Sequence, residues 1–346
     1  MNRFEFVPKT KRILIVDDAV ENLKLLSALL QDDYQVRVAK DGQQAIDYLR
    51  KYANIDLILM DVMMPKMDGF TACVQIKSNP EWSQIPVIFI TALNDVDDET
   101  HGLECGGADF ISKPFNTRVV KARIRNHLAL REERMKSDTL LRFLLPNPVI
   151  NELKLSGSYT PEIHTNTSIM FCDLVGFTSI TERLSPEDLV DELSEVFTAF
   201  DELINKHKGM RIKTIGDGYM AATGIGTNGS EHADDLVNAG LEMISYLKER
   251  NRIADQEWLC RIGIHSGQVI SGIVGKSRCQ FDIMGDDVNI AARVENNGIP
   301  MRLTITDATA QLLSDKKYLI ESQGEVSLKG KGSMHLSCVR RRDDGA

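Results

Sequence analysis

Five residues near the front of the chain have types and positions suited to one kind of chemistry. Asp17 and Asp18 end the β-branched run Arg12-Ile-Leu-Ile-Val16. Asp61 ends Asp56-Leu-Ile-Leu-Met60, Thr91 follows Pro86-Val-Ile-Phe-Ile90, and Lys113 precedes Pro114. Asp17 and Asp18 can hold a hard divalent cation such as Mg²⁺ through oxygen ligands. Asp61 is then a nucleophile toward a phosphoryl donor, with the cation neutralising charge during in-line transfer. Lys113 can pair with the resulting acyl phosphate and Thr91 can hydrogen-bond it. A second acidic set lies further along. Ile169-Met-Phe-Cys-Asp-Leu-Val-Gly-Phe-Thr178 puts Asp173 at a strand end before a glycine turn whose N–H groups suit phosphate oxygens. Arg211-Ile-Lys-Thr-Ile-Gly-Asp-Gly-Tyr-Met220 puts Asp217 at a hairpin tip. Carboxylates on adjacent strand ends are what a two-metal site needs, one ion activating an attacking oxygen and the other steadying phosphates.

The elements that must position these residues fall into two patterns. Over residues 12–128, short apolar strands alternate with helices such as Ala19–Asp32 and Gly42–Lys51, with Tyr34–Ala39 and Asp109–Ile111 as further strands. Such alternation predicts a doubly wound, five-stranded parallel α/β sheet, whose ligand site lies outside the carboxyl ends of its strands. Residues 116–145 lack turn signals and predict a helix of roughly 45 Å. Val120, Ile124, Leu128 and Met135 fit a partial heptad seam, interrupted by Arg131 and Arg142, and predict pairing in a dimer. Pro146 and Pro148 end that helix. From Ser168 the pattern changes to a strand at Ser168–Asp173, a helix at Ser185–His207 and a hairpin at Met210–Ala222. A helix at Glu231–Arg250, two strands within Leu259–Val274 joined near Ser266-Gly267, a helix at Asp286–Asn297 and a strand-rich tail follow. Helices grouped around hairpins predict an α+β domain.

Composition limits the readings. The 346 residues suggest two domains and a connector at ~150 residues per domain. Forty-one Lys and Arg against 50 Asp and Glu give a net charge of −9, which argues against a nucleic-acid-coating role. The six cysteines include no CxxC pair, so neither a zinc site nor a disulfide frame is indicated. The start reads as no signal peptide, and apolar runs such as Leu57–Met60 fall far short of the ~20 residues needed to span a bilayer. The expectation is a cytoplasmic protein without membrane insertion.

The segments Ile13-Leu-Ile-Val-Asp-Asp18, Leu59-Met-Asp-Val-Met-Met-Pro65, Asp68-Gly69, Thr91-Ala92 and Lys113-Pro114-Phe115 resemble response-regulator receiver domains, over residues 11–128. The resemblance implies one divalent ion at Asp17, Asp18 and Asp61, phosphorylation of Asp61 by a cognate histidine kinase or other phosphodonor, and switch roles for Thr91, Phe110 and Lys113.

The Asp173 and Asp217 segments, with Phe281-Asp-Ile-Met-Gly285, Val288-Asn-Ile-Ala-Ala-Arg293 and Leu328-Lys-Gly-Lys-Gly332, resemble class III adenylyl cyclase catalytic domains with a ferredoxin-like core. That match runs over residues 165–340. Residues 129–164 form a helical linker and transducing element. The resemblance implies two Mg²⁺ or Mn²⁺ ions per site, held by Asp173, Asp217 and the Leu174 carbonyl. It implies purine reading by Lys213 and Asp282, ribose orientation by Asn289, transition-state stabilisation by Arg293, and triphosphate binding by Lys329, with Lys331 a neighbour. Adenine offers an N1 acceptor and an N6 donor, matching a lysine donor and an aspartate acceptor, whereas guanine offers the opposite pattern. The expected reaction is conversion of ATP to cyclic AMP and pyrophosphate at a homodimer interface, regulated by phosphorylation of Asp61. The alternatives are GTP specificity or a noncatalytic nucleotide-binding module. A diguanylate cyclase would need a Gly-Gly-Asp/Glu-Glu-Phe hairpin, and Gly216-Asp217-Gly218 is a different turn.

Overall fold

The computed structural model describes residues 10–342 except 53, 92–95, 227–230, 276, 278, 315 and 329–331. The chain divides into two compact units, with the boundary between Leu140 and Leu141.

The first unit alternates strand and helix: β1 (Arg12–Val16), α1 (Val20–Leu30), β2 (Gln35–Ala39), α2 (Gly42–Lys51), β3 (Leu57–Asp61), α3 (Gly69–Ser78), β4 (Val87–Thr91), α4 (Val96–Glu104), β5 (Asp109–Ser112) and α5 (Thr117–Leu144). All strand pairs are parallel, in the order β2-β1-β3-β4-β5. This is the expected doubly wound sheet, and its near-continuous apolar strands have a direct cause. Ile13 and Ile15 pack with α1 and α5 on one face, while Leu14 and Val16 pack with α2 and α3 on the other, so successive residues are all buried. The strand order reverses beside β1. The crevice there lies between the carboxyl ends of β1 and β3, where Asp17, Asp18 and Asp61 stand. Asp41 and Asp68 cap α2 and α3 by accepting from the Gln44 and Thr71 N–H groups.

The expectation of a continuous helix after β5 holds, but its seam reading does not. Val120, Ile124 and Leu128 are buried against α1 and the sheet. They sit at a spacing of four and face the unit's own core, which leaves Met135 alone of the proposed seam exposed.

The second unit continues with α6 (Asn147–Ser156), β6 (Glu162–Val175), α7 (Phe177–Thr181), α8 (Pro186–Lys206), β7 (Met210–Ile215), β8 (Gly218–Thr223), α9 (His232–Arg250), β9 (Leu259–Val274), β10 (Gln280–Met284), α10 (Asp286–Asn296), β11 (Leu303–Thr306), α11 (Asp307–Ala310), β12 (Tyr318–Leu328) and β13 (Gly332–Arg341). Its mixed sheet runs β12-β13-β11-β9-β6-β8-β7, with β10 paired to β9. One face is covered by α8 and α9 through Phe200, Ile204, Leu236 and Leu247 around Trp258 and Tyr219. The other face holds Val149 and Ile150 of α6 with Phe281, Ile283 and Ala291.

Two expectations change here. The strand expected at Ser168–Asp173 is the last part of the longer β6, whose leading residues Glu162–His164 pair with Val269–Ser271. The Leu259–Val274 segment is one strand rather than two. Ser266-Gly267 resembles a turn in sequence, yet here small residues serve close packing. A Cβ on Gly263 would lie 2.2 Å from the Glu295 nitrogen, and one on Gly267 would lie 2.3 Å from the Asp287 carboxylate.

Candidate functional site

In the first unit the predicted residues converge. The Lys113 Nζ donates to Asp61 at 2.8 Å and to Asp17 at 3.1 Å. Carboxylate oxygens of Asp17, Asp18 and Asp61 lie within 4.8 Å of one another. Asp17 is fully buried and held by both oxygens through the Asn22 amide, at 2.9 and 3.0 Å, with the Ala19 N–H donating at 2.9 Å. Burial pushes the Asp61 carboxyl up, Lys113 pulls it down, and the like charge of Asp17 pushes it up again. Three acids with one lysine leave a surplus of negative charge among oxygen donors, a set that fits a hard cation. The Asp61 loop closes tightly: a Cβ on Gly69 would meet the Asp61 carbonyl oxygen at 2.2 Å, so glycine at 69 is a steric requirement. Thr91 ends β4 and is buried. Phe110 stacks on Phe89 at 5.4 Å beneath Gly102. Ala92 lies outside the described residues.

In the second unit the expected residues fall into separate groups. Asp173 sits near the end of β6, with Leu174 buried beside it, and Asp217 sits at the β7–β8 turn after Gly216 at φ +64°. Burial raises the Asp217 carboxyl, and the adjacent Asp173 raises it further. A carboxyl whose ionisation is hindered by burial and by a neighbouring acid fits a site for positive charge.

Two residues not singled out from sequence join them. Arg261, opposite Asp173 in the β6–β9 register, contacts Asp173 through Nη2 at 3.1 Å and Glu295 through Nε at 3.2 Å. Glu295 is buried, and burial with the nearby Asp173 pushes its carboxyl up to about 7. The one trace of them in the sequence is weak: each is a charged residue within an otherwise apolar strand or helix face, which by itself gives no partner.

A second group is the Lys213–Asp282 pair, Nζ to Oδ2 at 2.6 Å. Among the described residues it makes no ion pair with the Asp173 group. Lys213 and Phe281 also line a groove of about 740 Å³ with Met210, Leu145 and Pro146. The third group is carried by α10, where Asn289 is exposed and its amide donates to the Gly285 carbonyl at 3.3 Å. The Nη1 of Arg293 is buried without a hydrogen-bond partner among the described residues. An unpaired guanidinium donor is costly in isolation and fits an anionic oxygen. Asn289 and Arg293 lie on one side of α10, and Glu295 lies about 160° around the helix from Arg293. Lys329 and Lys331 lie outside the described residues.

Comparison with known proteins matches two domain families along the chain. Residues 159–340 match the family described as the adenylate and guanylate cyclase catalytic domain, and residues 13–125 match the response regulator receiver domain. The chain belongs to the adenylate and guanylate cyclase catalytic domain family, and joins that domain to a receiver. Guanylyl cyclase C of Cavia porcellus is 35% identical over 217 residues, covering 61% of this chain and 20% of the relative. The receptor-type guanylate cyclase gcy-13 of Caenorhabditis elegans is 38% identical over 208 residues, covering 59% and 20%. The chain thus spans about a fifth of the length of these relatives. Among solved structures, the guanylate cyclase domain of RhGC from Catenaria anguillulae in complex with GTP aligns with TM-score 0.50 and 28% identity, over 52% of this chain and 99% of that one. The adenylyl cyclase CyaB from P. aeruginosa aligns with TM-score 0.50 and 26% identity, over 54% and 99%. No helix among the described residues is long and apolar enough to cross a membrane.

Proposed function

We propose that the second unit converts ATP to 3′,5′-cyclic AMP and pyrophosphate in a homodimer, under control of phosphorylation at Asp61. The domains assigned are a receiver at 11–128, a linker and transducing element at 129–164 and a cyclase at 165–340. The observation that carries the choice of purine is the Lys213–Asp282 pair, an N–H donor beside a carboxylate acceptor. That pattern complements adenine N1 and N6–H.

Asp173, Asp217 and the Leu174 carbonyl would hold Mg²⁺ or Mn²⁺. Divalent charge there stabilises an alkoxide and the phosphate oxygens. The ribose 3′-oxygen, losing its proton, bonds to the α-phosphorus as the α–β bridging bond breaks, and pyrophosphate leaves with that electron pair. Asn289 orients the ribose. Arg293 donates its unpaired N–H to the oxygen where negative charge develops, an effect worth several kcal/mol at comparable sites. Lys329 binds the triphosphate.

The homodimer reading is supported by α10. Its Glu295 faces the Asp173 group of the same protomer, so Arg293, about 160° away around the helix, and Asn289, about 120° away, are directed toward a different site. A second copy supplies that site. In the receiver, a carboxylate oxygen of Asp61 bonds to phosphorus as the bond to the donor, a phosphohistidine or acyl phosphate, breaks. The Lys113 ammonium balances part of the added charge, and a divalent ion, which Asp17, Asp18 and Asp61 would hold, would supply the rest.

A second reading, GTP as substrate, is favoured by the guanylyl cyclases among the relatives at 35 to 38% identity. Incubation of the purified chain with ATP or GTP and Mg²⁺ or Mn²⁺, with identification of the product, decides between them. Cyclic AMP from ATP is expected. Cyclic GMP alone would replace the purine assignment, and no product with either metal would favour a nucleotide-binding module. Equal activity in wild type, Asp61→Asn and acyl-phosphate-treated protein would remove the regulatory link.

A further inference from the structure

The second unit contains a buried hydrogen-bonded chain that none of the site residues above explains. His265, on β9, is buried and bridges two elements. Its Nε2 lies 3.2 Å from the Asp287 carboxylate at the start of α10, and its Nδ1 lies 2.8 Å from the Thr306 hydroxyl at the end of β11. The chain continues through Thr309 to Ser266 at 3.0 Å, Ser168 at 2.6 Å and the His232 Nδ1 at 2.9 Å. The Thr306–Thr309 link, at 3.5 Å, is the longest.

The direction of donation follows from the end of the chain. An ionised carboxylate only accepts. Burial holds the His265 imidazole toward its neutral form, so it has one donor and one acceptor. Nε2–H therefore donates to Asp287, and Nδ1 accepts from Thr306. The remaining hydroxyls can then donate one way along the chain, from His232 to His265. Bonds polarised in one direction reinforce each other in a low-dielectric interior.

Asp287 is an unusual helix-start residue. The N-cap of α10, Gly285, contributes no side-chain cap. Asp287 instead turns back to β9, accepting from the Gln268 N–H at 2.7 Å as well as from His265. Only glycine at 267 leaves room for that carboxylate. The far end of α10 is seated where its backbone at Glu295 lies against Gly263. The helix is thus pinned to β9 at both ends, by steric contact at one and by the His265–Asp287 bond at the other. Asn289 and Arg293 lie between the pins.

We infer that His265 is a positioning residue for catalysis, acting through Asp287 to fix the start of α10 and so the placement of Asn289 and Arg293. This rests on the proposed cyclase reaction for its kinetic consequence, but the helix anchoring can be measured without it. The test uses the full chain and compares wild type with His265→Ala, His265→Gln, Asp287→Asn and the His265→Ala/Asp287→Asn double variant. Cyclase kinetics are measured alongside hydrogen exchange.

His265→Ala should lower kcat at least about tenfold while KM moves less than about threefold, because loosened groups cost most in the transition state. His265→Gln, which can present an N–H near the position of Nε2, should recover much of the loss. The double variant should be no worse than the worse single, because both break one link. Exchange should rise over residues 286–293 and stay unchanged in α9. Unchanged kcat in His265→Ala, failure of Gln to restore it, or exchange rising throughout the unit would overturn the inference. Should the wild type make no cyclic nucleotide, the reaction reading fails, and the exchange pattern decides the anchoring by itself.

Discussion

The two acidic sites of this chain make a useful contrast. In the receiver, Lys113 touches both Asp61 and Asp17, and the whole constellation belongs to one sheet end of one unit. In the cyclase unit, Asp173 and Glu295 share Arg261, but Lys213–Asp282 forms a separate pair, while Asn289 stays exposed and Arg293 Nη1 lacks a partner among the described residues. Charges in mutual contact mark a site that one unit completes. Separate groups, one of them with an unpaired donor, are what a site completed by a second copy, as proposed, would leave on each chain.

The strongest attack on that contrast is complementation. Asp173→Asn and Arg293→Ala should each lower turnover at least about 10²-fold. Mixing and re-equilibrating the two should return about a quarter of wild-type activity, because half of the random dimers then own one intact site of two. No recovery would mean that each cyclase site is as self-contained as the receiver's. For the receiver, Asp61→Asn should abolish labelling by a radioactive acyl phosphate, and no mixing with another variant should restore it to the altered chain. A smaller effect concerns purine choice. The exchange Lys213→Glu with Asp282→Lys keeps an ion pair but reverses donor and acceptor, and should shift the ATP-to-GTP activity ratio by about 10²-fold toward GTP.

The smallest expected effect is on stability. Burial lowers the pKa of His232 below its ordinary 6.5, while Asp235 opposes the shift weakly. The unfolded chain therefore binds more protons than the folded one as pH falls below 6.5, so this group makes folding less favourable toward acid. The thermal midpoint of the cyclase unit should decline between about pH 6.5 and 5, and less steeply in His232→Asn, which keeps a polar partner for Ser168. Equal slopes would assign the decline to other groups.

How much of this was legible in the sequence differs between the units for physical reasons. In the receiver, the central strands β1, β3 and β4 are buried on both faces and make unbroken apolar runs, and each ends at or just before a site residue, so order along the chain gives position in space. Its helices α1 to α4 are short, 9 to 11 residues each. The exception is Val120, Ile124 and Leu128, whose helical spacing suits a seam and a core equally; only the neighbouring α1 decides for the core. In the cyclase unit, β9 carries glycines at 263 and 267 that look like a break, because sequence does not reveal that a helix backbone and a carboxylate occupy the missing side-chain space. For the same reason the roles of Arg261 and Glu295 do not show in the sequence. Their significance comes from cross-strand register and from helix packing, neither of which is a spacing along the chain.

The two-faced helix α10 has one more consequence. In a dimer built as proposed, a single rigid rod carries Glu295 against its own protomer's metal aspartates and presents Arg293 to the partner's. Nucleotide closing around Arg293 at one site pushes on the same rod that supports Arg261 at the other. Occupancy of the two sites is then mechanically linked, and substrate saturation should depart from a simple hyperbola even when the two chains are identical.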